Sequence, residues 1–210
     1  MRGFCVTISP DPHYRHRLVV MVKEPRPGRV KTRLGHEIGM IDAATWFRHQ
    51  SRDLLRRLRD PRWELLLAVT PDKDGFESRV WPVDLPRVAQ GHGNLGTRMA
   101  RQFRTLPRGP ICIIGADIPG IRRHHIARAF DRLGNFDAVF GPATDGGYWL
   151  IGLKRTKPAP PSLFRNVRWS TQHALADTIA TLPSHRIAMI ATLDDVDTAA
   201  DLARHAPSFG

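Results

Sequence analysis

Two cysteines in 210 residues leave no room for a disulfide framework, and Cys5 and Cys112 match no metal-ligand spacing. No apolar run approaches the ~20 residues that a membrane-spanning helix needs. Met1 to Arg17 is polar, with Pro10, Pro12 and two histidines, and lacks the apolar centre of a secretory leader, so export is not expected. No internal repeat is present. Lysine is scarce too, at 5 of the 32 basic residues against 27 arginines. Collagen, coiled coil, membrane span and disulfide scaffold are thereby excluded. What remains is a cytoplasmic, core-forming chain. Its 41% hydrophobic and 25% charged residues argue against global disorder. Its length gives a prior of roughly one domain. We expect residues 1–17 to be an extension and residues 18–210 to form a single domain.

The charge balance is uneven. The net formal charge is +12, and residues 1–105 carry 20 basic and 11 acidic groups, whereas residues 106–210 carry 12 and 9. A basic surface attracts phosphate in any form, so the asymmetry says where to look. Arg48, Arg52, Arg56 and Arg59 recur at helical spacing. They fit a solvated helix face, and the chain lacks a recognition helix or interleaved aromatics, so neither nucleic acid nor membrane is expected as a partner.

Short, wholly apolar segments alternate with helical periodicity. Leu18–Val22, Leu65–Val69, Ile111–Ile114, Ala138–Phe140, Tyr148–Ile151 and Ile187–Ile190 read as strands. Residues 40–59, 95–103, 122–133 and 171–182 read as helices. Strands apolar on both faces mean a mostly parallel sheet covered on both sides. In such sheets, ligands bind where strands end and loops begin.

Four loops carry the candidate chemistry. The first, Lys23 to Leu34, packs five basic residues around Pro25, Pro27 and Gly28. Converging Arg forks and Lys ammonium groups suit a phosphate chain, although a solvated basic loop has the same composition. Val30 stands where a P-loop needs glycine. The second, Gln90 to Gly96, spells G-x-G-x-x-G through Gly91, Gly93 and Gly96, with Asp117 21 residues on. That mimics a dinucleotide fingerprint, but the preceding stretch contains Pro86 and is a poor central strand. The third, Gly115-Ala116-Asp117-Ile118-Pro119-Gly120, exposes a carboxylate after a strand, as a metal ligand or as a helix cap. The fourth is a pair, Asp145-Gly146-Gly147 and Asp194 to Leu202. Asp197-Thr198 there also fits a helix start.

In order along the chain stand Lys-x-Pro-x-Pro-Gly-Arg-Val-Lys-Thr-Arg-Leu, Gln-Gly-x-Gly-x-Leu-Gly-x-Arg-Met, Gly-x-Asp-x-Pro-Gly, Gly-Pro-Ala-x-Asp-Gly-Gly-Tyr, Trp-Ser-Thr and Asp-Val-Asp-Thr-x-x-Asp-Leu. Together they resemble the DUF2064 family, a branch of the nucleotide-diphospho-sugar transferase superfamily with a glycosyltransferase-A-like fold. Its relatives include 2-phospholactate guanylyltransferase and the molybdenum-cofactor nucleotidyltransferases. The resemblance covers about Val19 to Leu202. It implies a three-layer α/β/α sandwich with a Rossmann-like, mostly parallel sheet. It also implies that Gly28, Arg29, Lys31 and Arg33 form the nucleotide-phosphate loop, and that Gln90, Gly91 and Leu95 meet base and ribose. Asp117 and Asp197 would hold Mg²⁺ or Mn²⁺, and Asp145, Gly146 and Gly147 would fall on the acceptor side. Two positions depart from the family pattern: Asn94 stands where an Asp is usual, and Trp149 where a smaller aromatic is.

The implied reaction is transfer of a nucleoside monophosphate from a nucleoside triphosphate to a small, phosphorylated acceptor, with release of pyrophosphate. Lys31, Arg33 and Asp117 are the catalytic candidates, with Lys31 and Arg33 stabilising the leaving pyrophosphate. Glycosyl transfer from a nucleotide sugar would use the same residues. A nucleotide-binding protein without turnover and a nicotinamide oxidoreductase are the further alternatives. If Asp117 and Asp197 share a cation, their carboxylates must converge within ~5–6 Å, with Asp195 as the alternate ligand. Nucleobase, acceptor identity and oligomeric state carry no signal in the residues.

Overall fold

The computed structural model describes residues 14–205; most of the expected extension, residues 1–13, and residues 206–210 lie outside the described residues. Fourteen elements follow in the order β1 (Arg17–Lys23), α1 (Thr32–Ile38), α2 (Met40–Arg57), β2 (Glu64–Thr70), α3 (Asp72–Glu77), β3 (Arg87–Ala89), α4 (Leu95–Thr105), β4 (Ile111–Gly115), α5 (Arg123–Asn135), β5 (Ala138–Pro142), β6 (Tyr148–Leu153), α6 (Ala174–Ala180), β7 (Ile187–Met189) and α7 (Ala199–His205). The strands form one sheet in the order β3-β2-β1-β4-β6-β5-β7. All pairings are parallel except those of β6 with β4 and β5.

Successive strand side chains point to opposite faces, so a strand apolar throughout feeds two cores. Leu18, Val20 and Val22 of β1 join Leu65, Leu67 and Val69 of β2 on one face, under Leu54 and Leu55 of α2 and Ile126 and Phe130 of α5. Val19, Leu66 and Ala68 point the other way, onto Met99 and Phe103 of α4 and Ala174 of α6. These are the three layers that the periodicity implies.

Several expectations shift at their edges. β1 opens on Arg17, one residue inside the expected extension. Arg17 is buried because its charge is fully engaged: Nε bonds Glu64 Oε2 at 3.0 Å, and the Arg108 carbonyl accepts from Nη1 at 3.1 Å. Residues 87–89 do form a strand, and it lies at the sheet edge, where the preceding Pro86 is tolerated. The expected helix 171–182 shrinks to Ala174–Ala180. The stretch before it makes a tight turn, with Ser170 at φ 59° and the Thr171 hydroxyl bonded to the Arg168 carbonyl at 2.8 Å. α1 and α3 are too short to show a periodicity in the sequence.

The sheet places its switch point at β1. The chain runs outward from β1 to β2 and β3, then crosses back through α4 to β4 on the other side of β1, opening a crevice at the carboxyl ends of β1 and β4. Lys23 and Gly115 end those two strands, so the first and third candidate loops face each other across the crevice.

Candidate functional site

The loop after β1 turns at Gly28 and returns to the core at Val30, which is buried. Lys31 follows in the left-handed region, with φ 45° and ψ 48°, and precedes the first turn of α1. That conformation is uncommon outside glycine and carries strain. It turns the Lys31 side chain into the crevice, where only 7% of it remains exposed.

Asp117 stands two residues beyond β4. Its backbone carbonyl accepts from the Val196 amide at 3.3 Å, which fastens the segment Asp194 to Asp197 alongside it. Val196 is fully buried against Leu34 of α1 and Ala43 of α2. With Val196 directed inward, Asp195 and Asp197 on either side of it both reach the crevice. Thr198 and Asp201 take up the helix-capping work: Asp201 Oδ2 accepts from the amides of Asp197 and Thr198 at 3.0 and 2.8 Å, and Thr198 Oγ1 accepts from the Asp201 amide at 3.2 Å. The Asp197 side chain is therefore left for the crevice.

Asp117, Asp195 and Asp197 each offer an oxygen, and these oxygens all lie within 4.8 Å of one another. Lys31 Nζ sits among them, 2.6 Å from Asp117 Oδ2, 2.6 Å from Asp197 Oδ1 and 3.4 Å from Asp195 Oδ2. Arg33 Nη1 reaches Asp197 Oδ2 from outside at 3.2 Å. Burial alone would depress the Lys31 ammonium, but Asp117, Asp197 and Asp195 outweigh it and hold its pKa above the ordinary lysine range. Asp195 is pushed up to about 6, chiefly by burial, with Asp117 and Asp197 adding to it against the pull of Lys31. Burial also works against ionisation of Asp197, yet the bonds from Lys31 and the charge of Arg33 keep it below the usual carboxylate range.

Two cavities meet at this cluster. A cleft of about 510 Å³ runs beside the basic loop and is lined by Lys23, Arg29, Lys31, Arg33, Gln90 and Arg98, among others. A smaller cavity of about 230 Å³ lies beyond Asp117, between Met99, Tyr148, Trp149 and Trp169. Met21, Leu95, Gly115 and Asp117 line both.

The sequence pattern of DUF2064, described as an uncharacterised protein conserved in bacteria, matches residues 54–171. The chain belongs to the DUF2064 family. It is 28% identical to a protein from Desulfovibrio desulfuricans G20 assigned as a nucleotide-diphospho-sugar transferase. That structural match covers 93% of this chain and 90% of the other, with a TM-score of 0.78. It is 26% identical over 105 residues to a 2-phospho-L-lactate guanylyltransferase of Methanocaldococcus vulcanius, and the match spans 48% of each chain. A CMP:2-keto-3-deoxy-manno-octonic acid synthetase complexed with CTP, 10% identical, shares the fold over 90% of this chain and 96% of its own, with a TM-score of 0.57.

The DUF2064 motifs thus converge on one crevice, with differences at single residues. Lys31 was expected to face a pyrophosphate; its Nζ is instead held by the three carboxylates, because the left-handed backbone aims it inward. Arg29 and Arg33 stay exposed on the cleft wall. Gln90 lines the cleft but is only 4% exposed, and its Nε2 bonds the Val22 and Ala68 carbonyls at 3.0 and 2.7 Å, bracing the ends of β1 and β2. Gly91 turns the chain behind it, its amide donating to Asp72 Oδ1 at 3.1 Å. Leu95, at the first turn of α4, is 47% exposed between the two cavities. Asn94 caps α4 by accepting from the Thr97 amide at 2.9 Å, which fixes its side chain on the protein rather than on a ligand. Gly96 of the apparent dinucleotide fingerprint is a packing glycine: a Cβ there would lie 2.7 Å from Phe164 and Trp169.

Asp145 and Gly147 line the smaller cavity, and Gly147 donates its amide to Asp145 Oδ1 at 2.8 Å. Gly146 has φ 83°, and a Cβ would lie 2.2 Å from the Gln172 carbonyl oxygen. Sequence reasoning overlooked Arg98, Met99, Trp169 and Ser170 as lining residues. The Arg-Met end of the glycine-rich motif and the Trp-Ser-Thr motif were the available signals for them.

Proposed function

We propose that the chain transfers a nucleoside monophosphate from a nucleoside triphosphate to a small acceptor, releasing pyrophosphate. The observation that carries this reading is the meeting of a basic cleft and a separate small cavity at a cluster of three carboxylates. The guanylyltransferase relative supports the reaction class.

In this reading the cleft holds the triphosphate. Arg29, Arg33 and Arg98 supply donors along one wall, which positions the chain and offsets charge on the leaving group. An acceptor oxygen in the smaller cavity forms a bond to the α-phosphorus. The bond from that phosphorus to the bridging oxygen breaks, and its electron pair leaves with pyrophosphate. Where the acceptor is a hydroxyl, its proton passes to the Asp145 carboxylate.

Three converging carboxylate oxygens are the hard donor set that Mg²⁺ or Mn²⁺ prefers, so Asp117, Asp195 and Asp197 fit a divalent ion. An ion held by these residues would supply positive charge to offset that of the phosphates. Lys31 Nζ pairs with the same three carboxylates, so the two cations compete for one place.

The Desulfovibrio protein's assignment favours a second reading, glycosyl transfer from a nucleotide sugar through the same crevice. A thermal-shift panel of nucleoside triphosphates and nucleotide sugars, each with and without Mg²⁺, separates the two, since a ligand that binds only the folded state raises Tm by mass action. Stabilisation by a triphosphate in the presence of Mg²⁺, with pyrophosphate released only when an acceptor is added, is the expected result. Stabilisation by nucleotide sugars alone moves the reading to glycosyl transfer. No response to either class refutes both.

A further inference from the structure

A further cleft, of about 650 Å³, shares no lining residue with the crevice. Pro107 and Arg108 lie just before β4. Arg155 and Lys157 lie just after β6, whose end at Leu153 pairs with Ile111 at the start of β4. The cleft therefore sits at the amino end of β4, across the sheet from the crevice at its carboxyl end.

Four cations line it, Arg104, Arg108, Arg155 and Lys157, and among the described residues no carboxylate does. Elsewhere on the surface, exposed arginines fork onto aspartates: Arg62 onto Asp60 at 2.8 and 2.7 Å, and Arg168 onto Asp177 at 2.8 and 2.9 Å. Here the charge meets only neutral groups. Arg155 donates to the Pro107 and Leu106 carbonyls at 2.7 and 2.9 Å, and Arg104 reaches the Pro161 carbonyl at 3.5 Å. The exposed side chains of Arg108 and Lys157 make no ion pair or hydrogen bond among the described residues. Burial lowers the pKa of Arg155, and the charges of Arg17 and Arg108 add to it, so a bound anion would relieve a disfavoured cation. Arg155 also has a left-handed backbone, at φ 53°, and strain of that kind collects at binding sites.

The floor is apolar. Phe103 and Leu106 are buried in the core on that face of the sheet, and Pro107, Pro158 and Pro161 add exposed carbon surface. Arginine forks and a lysine ammonium suit phosphate oxygens, and four cations suit more than one phosphate. The volume falls within the ~300–1,000 Å³ of ligand pockets, most of which pair an apolar lining with a few polar groups.

We propose that this cleft binds an organic diphosphate, with the diphosphate on Arg104, Arg108, Arg155 and Lys157 and its apolar or flat group on the Phe103 and Leu106 floor. It is a second site, independent of the transfer reading. Two sources share this chemistry: a nucleoside diphosphate and an isoprenoid diphosphate.

The test is calorimetric titration of the full chain in EDTA with GDP, geranyl diphosphate and inorganic pyrophosphate. Two variants locate the binding. Arg104→Gln, Arg108→Gln and Lys157→Gln together alter exposed side chains of the cleft and leave Arg155 to brace its carbonyls. Arg29→Ala with Arg33→Ala alters the crevice. At least one organic diphosphate is expected to bind more tightly than pyrophosphate, to lose roughly tenfold or more in affinity in the triple variant, and to be unchanged in the crevice variant. Which of the two binds identifies the source. Four results overturn the inference: binding of neither organic diphosphate, affinity unchanged in the triple variant, affinity lost in the crevice variant, or pyrophosphate bound as tightly as both. A DNA duplex that displaces the diphosphate, with affinity falling steeply as salt rises, also overturns it and makes the face a nucleic-acid surface.

Discussion

Replacing Lys31 by Met keeps the length of the side chain and removes the one ammonium placed among three carboxylates. The structure sets the size of the effect. Removing one partner of a fully buried ion pair costs about 3–5 kcal/mol, whereas an exposed pair contributes about 0–1 kcal/mol. Lys31 is 7% exposed, but Asp117, Asp195 and Asp197 retain 27%, 40% and 36% of their side-chain surface, so water screens part of the repulsion. The expected loss is therefore intermediate, about 2 kcal/mol, which for a chain of this size lowers Tm by about 4–8 °C. The same substitution vacates the place a divalent ion would take. In differential scanning calorimetry, MnCl₂ alone should raise the Tm of Lys31→Met by more than it raises that of the unsubstituted chain, where the ammonium competes. Saturation at ~100 times Kd would restore about 2.7 kcal/mol. Two results refute the reasoning: a variant that melts within about a degree of the unsubstituted chain, or a metal-induced shift equal in both proteins.

Arg33→Ala should leave Tm unchanged within about a degree, because the side chain is 72% exposed, and should weaken triphosphate binding several-fold in calorimetry. Unchanged affinity removes Arg33 from the phosphate wall. Gly146→Ala should destabilise by more than ~1 kcal/mol, since the residue sits at φ 83° with the Gln172 carbonyl 2.2 Å from any added Cβ. A denaturation midpoint equal to that of the unsubstituted chain contradicts this. Lowering the pH below 6.5 should cost stability through His16, which stacks on Phe130 at 4.6 Å and whose pKa burial lowers despite the pull of Asp131. The unfolded chain takes that proton first, so the penalty grows as the pH falls. Asp195, with its pKa raised to about 6, acts in the opposite sense, since the folded state protonates first and gains stability on acidification. The measurement is therefore the difference between His16→Gln and the unsubstituted chain, with the variant losing less between pH 7 and 5. Identical slopes dismiss the role of His16.

Lys31 shows why a motif can mark a residue without giving its task. Its place in a basic loop after the first strand is legible from spacing. Its contact with three acids 86 to 166 positions away is not, because that depends on a left-handed backbone at one residue and on Val196 being drawn into the core. Gln90 and Asn94 teach the same lesson. Both stand inside a motif of ligand-binding pattern, and both side chains are spent on backbone groups, one bracing strand ends and the other capping a helix.

The sequence by itself determined the fold class. Strands apolar on both faces require cover on both sides, and that signal is local, read within five residues at a time. It also marked the loops at the strand ends and named two of the three clustered carboxylates, with the third as alternate. Tertiary structure alone decided the antiparallel insertion of β6, the edge position of β3 and the pairing of Arg17 with Glu64. It alone divided the crevice into a basic cleft and a smaller cavity walled by aromatic and aliphatic side chains. Those properties arise from which segments meet, and segments far apart in the chain meet only when burial of Val196, Leu34 and Ala43 forces them together. Chemistry read along the chain gives the ingredients; the net charge of a cavity is a sum over residues that no local window contains.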